Sequence, residues 1–583
     1  LKAHEYCVLD IETDGLFATG SKIHCVAVKS NVEGRVIGLA EHSKALAKEF
    51  SAENPDVKVM TIAEAFRFAF SHNQVVGHNL IAFDIPWLER YLGLKCDTSK
   101  VFDTLIAARL TEPDVLQVDI NRRVPAMPSE LYGSHSLKSW GYRIGVKKDA
   151  FGDDREDWTT CTVPMLNYCM QDLEVTEALF KFLANVPSSA MRLEQEFAVE
   201  VTKMTNNGFS FDVVGAATLY GKLSMRREEL KTELELAFPA SEVKMKRKVK
   251  SVPFNPASRT QIAARLIEKY NWQPKEFTDG GSVKIDETVL SKLPWPEAQK
   301  LSEFFLIQKR IGQLAEGDKA WMKLVKADSR IHGEIITIGA VTGRCSHQNP
   351  NMAQVPKQKE YRSLFRVPEG KTLVGIDCSG LQLRCLAHYM ALYDSGDYVK
   401  VITSGDIHTE NQKAAGLPTR DSAKTFIYAL LFGAGDERLG EILGGGAVEG
   451  RKLRDKFMKG LPAFKRLSDS IQGVVKGRGD LRGLDSRRLP IRSKHAALNT
   501  LLMAAEAIIV KTFTVHLMRH IGSMGRLVAH VHDELQIEVD RPEDVAKIKA
   551  LADVAIEQTQ KSLNFRCPLK VESKVGTNWS ETH

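Results

Sequence analysis

The sequence predicts a multidomain chain of α/β and α+β character: an α/β unit first, then a mainly helical stretch, then a mixed unit organised around a sheet. Three observations predict it. Up to about residue 185, strand-like runs (YCVLDIET, IHCVAVKS, QVVGHN) alternate with helical ones (TIAEAFRFAFSH, VFDTLIAARL), as in an α/β domain. From there to about residue 330 the pattern is long and helical (SSAMRLEQEFAVEVTKMTNNG, MRREELKTELELAF). Beyond it, a TLVG run leading to Asp377 and the segment RLVAHVHDELQIEVD read as strands, with the helical TRDSAKTFIYALL between them.

A length of 583 residues leaves room for about three or four domains, and 43% hydrophobic content suffices for sizeable cores. The start carries Asp10, Glu12 and Asp14 instead of a basic stretch with an apolar core, so it does not read as a signal peptide. A chain that begins at Leu1 is expected to lack a few native residues. LNTLLMAAEAIIV, the best membrane-span candidate, is short and interrupted by Glu506, whereas a span needs roughly twenty apolar residues; no membrane partner is expected. Nine cysteines without CxxC spacing fit reduced thiols in a cytosol-like compartment better than a disulfide frame or a zinc site. Net charge is a modest +7. Its distribution says more: VKMKRKVKS gathers Lys244, Lys246, Arg247, Lys248 and Lys250, which reads equally as a grip on a polyanion or as a solvated basic loop. No internal repeat or low-complexity segment is evident.

In VLDIET, Asp10 and Glu12 are two apart on a strand, so both carboxylates point to one face. Like charges that close need a cation. GHNLIAFDIPWL offers Asp84 after a strand and turn, and NYCMQDLEVTEALF offers Asp172 on a helix with Tyr168 four residues earlier on the same face. A hard divalent ion such as Mg²⁺ prefers oxygen ligands, and two such ions about 4 Å apart activate water and stabilise a leaving oxygen in phosphodiester cleavage. Tyr168 is placed to orient that water. A lone DxE is more often structural, but DIET, HNxxxFD and YxxxD in this order resemble the three motifs of a DnaQ-like 3′–5′ exonuclease domain.

A second set of acids is split across the chain. Asp377 ends a strand; its partner is remote, in a hairpin with Asp533 and Glu534 at the bend. If that hairpin packs beside the Asp377 strand, Asp377 and Asp533 can share two metal ions, the general logic of phosphoryl transfer. Between them Arg420, Lys424 and Tyr428 are spaced at four, so they form one helical stripe roughly 12 Å long, close to the span of a nucleoside triphosphate. The cations sit near the helix N-terminus, where the dipole also favours anions. In FNPASRTQIAARLIEKY, Asn255 and Ser258 either cap the following helix or contact a phosphate.

These residues carry a resemblance to family A DNA polymerases, and within them to the replicative enzymes of T-seven-type short-tailed phages. It runs almost end to end, through SLKSWGYRIG, QKRIGQLAEGDKAW, AVTGRCSHQNPNMAQVP, GDIHTENQKAAGLPTRDSAKTFIY, IRSKHAALNTLL, VHDE and the closing NWSETH. The resemblance implies an exonuclease domain (1–185) followed by a right-hand polymerase: thumb and start of the polymerase (186–330), palm with Asp377 (331–400), fingers (401–480), and palm with Asp533 plus the C-terminus (481–583). It implies Asp377, the carbonyl of Cys378 and Asp533 as metal ligands, with Glu534 beside them. Arg420, Lys424 and His408 would hold the triphosphate, with Lys424 catalytic. Tyr428 would pack at the incoming sugar and base. Arg344, Asn255, Asn499 and His532, with Lys246, Arg247 and Lys248, would contact primer or template.

Two Mg²⁺ ions per site, replaceable by Mn²⁺, are the implied cofactors. Primer–template DNA, deoxynucleoside triphosphates, a phage helicase–primase and a single-strand binding protein are the implied partners of a monomer in the cytoplasm of an infected bacterium. Departures accompany the matches. Gln382 stands where a steric-gate Glu is usual and Phe432 where a Tyr often bonds that Glu, a coherent pair because an apolar ring leaves no phenol seeking a partner. Ala429 replaces a Gly, and Met503 replaces a Gln that reads the minor groove. The thumb stretch between ELELAFP and FNPASR is short and basic, so a thioredoxin clamp is not expected. A single-subunit RNA polymerase is opposed by the bulk at Gln382 and by the exonuclease motifs. A decayed, merely nucleolytic chain is opposed by retention of Asp377, Asp533, Arg420 and Lys424.

Overall fold

The computed structural model describes residues 5–17, 19–40, 43–146, 158–245 and 248–583. The chain divides into two compact units, one of Leu1–Asn206, Ile335–Ser346 and Val374–Lys574, the other of Asn207–Glu334, His347–Leu373 and Val575–His583.

The first unit begins with a six-stranded sheet of β1 (Tyr6–Thr13), β2 (Ile23–Ser30), β3 (Gly34–Leu39), β4 (Val57–Thr61), β5 (Gln74–Gly77) and β6 (Val101–Asp103), in the order β4-β3-β2-β1-β5-β6. β1, β2 and β3 pair antiparallel; β3–β4, β1–β5 and β5–β6 pair parallel. Helices cover the sheet because their apolar residues recur on one face. α1 (Ile62–Ser71) starts at a Thr61/Glu64 capping box and buries Ile62, Ala65, Phe66 and Ala69. α2 (Asp84–Leu92) follows the β5 turn, α3 (Thr104–Thr111) follows β6, and α4 (Val163–Phe182) lays Leu166, Cys169, Met170 and Leu173 against Val8 and Cys25 of the sheet. VFDTLIAARL is expected as a helix throughout, but its first three residues are the edge strand β6. The reason is Asp103, whose carboxylate accepts from the N–H groups of Leu105 and Ile106 and so starts the helix one residue later.

The rest of this unit is built on a four-stranded sheet of β7 (Thr372–Cys378), β8 (Gly525–Val531), β9 (Glu534–Val539) and β10 (Val571–Gly576), in the order β8-β9-β7-β10. The hairpin of RLVAHVHDELQIEVD and its place beside the Asp377 strand are as the sequence predicts. Around the sheet lie α5 (Ser188–Asn207), α6 (Leu381–Asp394), α7 (Arg420–Leu431) and α8 (Ala497–Ile521). At 25 residues α8 is longer than LNTLLMAAEAIIV suggests. By length and composition it is apolar enough to cross a membrane, yet 78% of its most apolar window is buried inside the protein. All nine cysteines are free thiols.

Within this core sits a buried ionic network. Lys511 of α8, 1% exposed, donates to both carboxylate oxygens of Glu194 on α5 at 2.6 and 2.9 Å. Arg487 pairs with the same Glu194 at 2.7 Å and with Asp485 at 2.6 Å. Removing one partner of such a network leaves a desolvated charge. Lys511→Met is expected to cost about 3–5 kcal/mol, read as a lowered thermal midpoint; an unchanged midpoint would refute the assignment.

His388 on α6 stacks on Phe565, with ring centroids 4.3 Å apart, and its Nδ1 accepts from the Arg566 N–H at 3.0 Å. Burial, with the Arg566 charge, pushes its pKa down to about 4. The unfolded chain therefore binds the extra proton first, and this contribution to stability is lost as pH falls from the ordinary histidine value toward 4. Between pH 7 and 4.5 the stability of the wild type should fall relative to His388→Gln by roughly 2–3 kcal/mol, measured by denaturant titration at each pH. Parallel pH profiles would contradict this.

The second unit has its own core. Helices Val213–Ala237, Arg259–Tyr270 and Pro296–Ile311 bury Leu230, Leu234, Phe254, Leu266, Leu301 and Phe304 together. Ser258 caps the Arg259 helix, accepting from Gln261 N–H at 3.4 Å; Asn255 makes the preceding turn, its side-chain Oδ1 accepting from Ala257 N–H at 2.9 Å. The basic segment is not a loop: Ser241–Met245 and Lys248–Val252 pair antiparallel, consistent with the alternation of Val and Lys. Lys246 and Arg247 lie outside the described residues. NWSETH is tied down by Trp579, which is fully buried among Phe209 and Phe365, its N–H donating to the Phe365 carbonyl at 2.9 Å.

Candidate active sites

Asp377 is the penultimate residue of β7, and Asp533 sits in the two-residue bend between β8 and β9. His532 takes the first bend position with φ 57°, a left-handed conformation that His tolerates better than branched residues do. The bend is locked to β7 because Cys378 N–H donates to the Asp533 carbonyl at 3.1 Å. Asp377 lies at the open mouth of the site but is backed by protein; the partial loss of water, with the charges of Asp533, Glu534 and Glu572, pushes its pKa up to about 6. Burial likewise raises Asp533, while His532 and Arg344 oppose the rise. Glu534 is turned inward, 5% exposed, and accepts from Gln536 Nε2 at 2.6 Å.

On α7 the stripe is present. Thr419 and Ser422 cap the helix reciprocally, and Arg420, Lys424 and Tyr428 follow at four-residue spacing. Arg420 pairs with Asp406 at 2.6 Å. Lys424 is exposed. His408 stands with its ring 6.3 Å from that of Tyr428; burial and the Arg420 charge lower its pKa, and its Nδ1 is buried without a hydrogen-bond partner. Burial, then Glu506 and Asp533, raise the Tyr428 phenol, so this end of the stripe faces the acids. Gln382 Nε2 and Asn499 Oδ1 are also buried and unpartnered. Phe432 caps the C-terminal end of α7 and is 53% exposed. Met503 is half-buried on α8.

The other set of acids forms on the first sheet. Asp10 and Glu12 of β1 bring carboxylate oxygens within 4.8 Å of each other and of the Cys169 thiol, which lies 3.4 Å from Asp10 Oδ2. Asp84 opens α2, 3% exposed; its Oδ1 accepts from Ile11 N–H at 3.2 Å. Burial first, then Asp10 and Asp103, hold its carboxyl well above the usual range. Asp172, buried, lies on α4 one turn beyond Cys169, and Tyr168 packs edge-on against Trp158.

Three residues escape the sequence reading. Cys169 sits between Tyr168 and Asp172 in a motif read only for its outer members. Asp103, 1% exposed, accepts from the N–H groups of Asn79 and Ile81 as well as those of Leu105 and Ile106, fixing the loop that leads to Asp84; its signal was the Asp–Thr start of a helix. Glu506, read only as an interruption of an apolar run, forms an ion pair with Arg344.

The two acid clusters set the expectation against which known proteins can be compared. The profile described as DNA polymerase family A matches residues 224–581. The DNA-directed DNA polymerase of Enterobacteria phage T3 is 33% identical, over 99% of this chain and 100% of the relative, and that of Escherichia phage T7 is 32% identical over the same shares. The T3 alignment runs over 718 positions against 583 residues here, so that relative carries segments this chain lacks. DNA polymerase I of Aquifex aeolicus is 26% identical over 100% of this chain and 97% of its own length. Among solved structures, the POL domain of Pol1 from M. smegmatis, in complex with DNA primer-template and dNTP, aligns with a TM-score of 0.74 at 18% identity, over 100% of this chain and 97% of that one, a likeness of fold. With a profile match over most of its length and relatives aligned end to end, the chain belongs to DNA polymerase family A.

Proposed function

We propose that this family A member is a phage-type, DNA-directed DNA polymerase that extends a primer at the Asp377–Asp533 cluster and removes misplaced nucleotides at a separate 3′–5′ exonuclease centre of Asp10, Glu12, Asp84 and Asp172. In this reading residues 1–185 are the exonuclease domain, 186–330 the thumb, 401–480 the fingers, and 331–400 with 481–583 the palm. The observation that carries it is the crowding of Asp377 by Asp533, Glu534 and Glu572, with a helix stripe of two cations and a ring ending beside them.

The donor set at the polymerase cluster is all oxygen, two carboxylates and the Cys378 carbonyl, which fits a hard divalent ion such as Mg²⁺, with Mn²⁺ as a substitute. Two such ions would lower the pKa of the primer hydroxyl and neutralise charge on the reacting phosphate. The chain's own groups do the rest. Arg420 exchanges Asp406 for triphosphate oxygens, Lys424 holds a proton at Nζ against the leaving phosphates, and His408 donates to a phosphate. Tyr428 packs on the incoming sugar and base, with Gln382 and Phe432 bounding the 2′ side of the sugar. Arg344, Asn499 and His532 face primer and template, and Asn255 with Lys246, Arg247 and Lys248 contacts the duplex backbone. At the exonuclease centre, Asp10, Glu12, Asp84 and Asp172 would hold the metal ions, which would activate water for phosphodiester cleavage, and Tyr168 would orient that water. The enzyme would work as a monomer in the infected cell with a helicase–primase and a single-strand binding protein, without a thioredoxin clamp.

Extension of a labelled primer on a DNA template with Mg²⁺ tests both centres. Asp533→Ala should cut extension by about a thousandfold or more while the primer still shortens when nucleotides are withheld. The double variant Asp10→Ala, Glu12→Ala should do the reverse. Loss of both activities in either variant would sink the two-centre reading. With ribonucleotides the wild type should extend at least about tenfold more slowly than with deoxynucleotides, and Gln382→Ala should narrow that gap. Comparable growth on both by the wild type would mean that Gln382 does not exclude the 2′-hydroxyl.

A further inference from the structure

Arg344 ends a tight hairpin in which the N–H groups of Gly339 and Ala340 donate to its carbonyl at 2.9 and 3.2 Å and Gly343 N–H donates to the Ala340 carbonyl at 2.8 Å. Gly343 adopts φ +78°, a left-handed conformation suited to glycine. α8 grips this hairpin twice. Lys511 Nζ donates to the carbonyls of Thr337 and Gly343 at 2.6 and 2.7 Å, so both legs of the loop are fixed to the helix. Earlier on α8, Glu506 Oε2 accepts from the Arg344 guanidinium, while Glu506 Oε1 is buried and has no hydrogen-bond partner.

The position of this acid is costly for an enzyme that handles a polyanion. Burial raises the pKa of both Glu506 and the Tyr428 phenol, and Glu506 is near enough to add its charge to the phenol's rise and to feel the charge of Asp533. A neutral residue would fill the space without adding repulsion to the site. What the carboxylate adds is the hold on Arg344, whose guanidinium presents its N–H donors in a rigid plane; fixing one edge fixes where the others point. Arg344 is also one of the charges that lower the Asp533 pKa, so its guanidinium is within electrostatic reach of the acid cluster.

We propose that Glu506 is a positioning residue for primer extension: with Lys511 holding the hairpin backbone, its carboxylate orients the Arg344 guanidinium so that the remaining donors meet the primer strand. The inference rests on the polymerase reading of this cluster. Arg344 makes the contact; Glu506 acts through it.

A double-mutant cycle in the full chain tests this, with kcat and KM for primer–template and for the next nucleotide measured on matched and mismatched primer ends. Arg344→Ala and Glu506→Ala should each lower kcat/KM by about ten- to a hundredfold, the range for loss of a charge-assisted hydrogen bond. The double variant should be no worse than Arg344→Ala alone. Glu506→Gln, which keeps an acceptor oxygen in the same volume, should recover part of the loss, and both alanine variants should compress the preference for a matched end. If Glu506→Ala does not fold, as judged by its melting, the cycle with Glu506→Gln decides. Losses that multiply, or no loss in any folded Glu506 variant, would overturn the inference. Normal kinetics in Arg344→Ala would instead overturn the primer-facing role of Arg344 and the reading it rests on.

Discussion

Carboxylates that repel one another must be held by backbone before they can share a cation, and both acid clusters of this protein meet that constraint with interior strands of a sheet. Asp377 and Asp533 are kept together by a main-chain hydrogen bond between neighbouring strands, and Asp10 and Glu12 by the two-residue period of one strand. Further hydrogen bonds then finish what the strands begin: the Gln536 side chain donates to the inward Glu534, and the backbone N–H of Ile11 donates to Asp84. Partial burial first, and this unrelieved repulsion second, raise the carboxyl pKa of Asp377. The helices and the buried ionic network of α5 and α8 provide the stiff frame against which the acids cannot move apart.

Much of this was legible because it rests on local periodicity. A spacing of two on a strand and of four on a helix placed Asp10 with Glu12 and Arg420 with Lys424 and Tyr428 without any knowledge of the fold. The pairing of Asp377 with Asp533 was legible only as a condition, since hydrophobic alternation announces a hairpin but not its neighbour. What escaped was decided by tertiary contact. VFD became an edge strand because β5 offers it a partner and Asp103 accepts four backbone N–H groups. The basic segment pairs with itself as a hairpin. Glu506 and Lys511 look like blemishes on an apolar helix until the hairpin bearing Arg344 and the buried Glu194 are seen to meet them.

Several residues singled out in the sequence carry buried polar atoms without a hydrogen-bond partner. Gln382 on α6, Asn499 and Glu506 on α8, and His408 each bring one such atom. Buried polar atoms of this kind are rare where a core is only a core, and a cluster of them marks surface shaped to receive polar groups from elsewhere.

The first unit is assembled from three separated stretches of chain, with most of the second unit inserted between them. During synthesis Glu194 emerges long before Lys511, 317 residues later. Until then its carboxylate lacks the ammonium that completes the network and α5 cannot be fixed in its final place, whereas the helices Val213–Ala237, Arg259–Tyr270 and Pro296–Ile311, whose contacts are nearer in sequence, can pack on one another earlier. A ribosome stalled before α8 would therefore hold a chain in which Glu194 still lacks Lys511 and the second unit still lacks its closing Val575–His583 segment, an exposed target for proteases and chaperones.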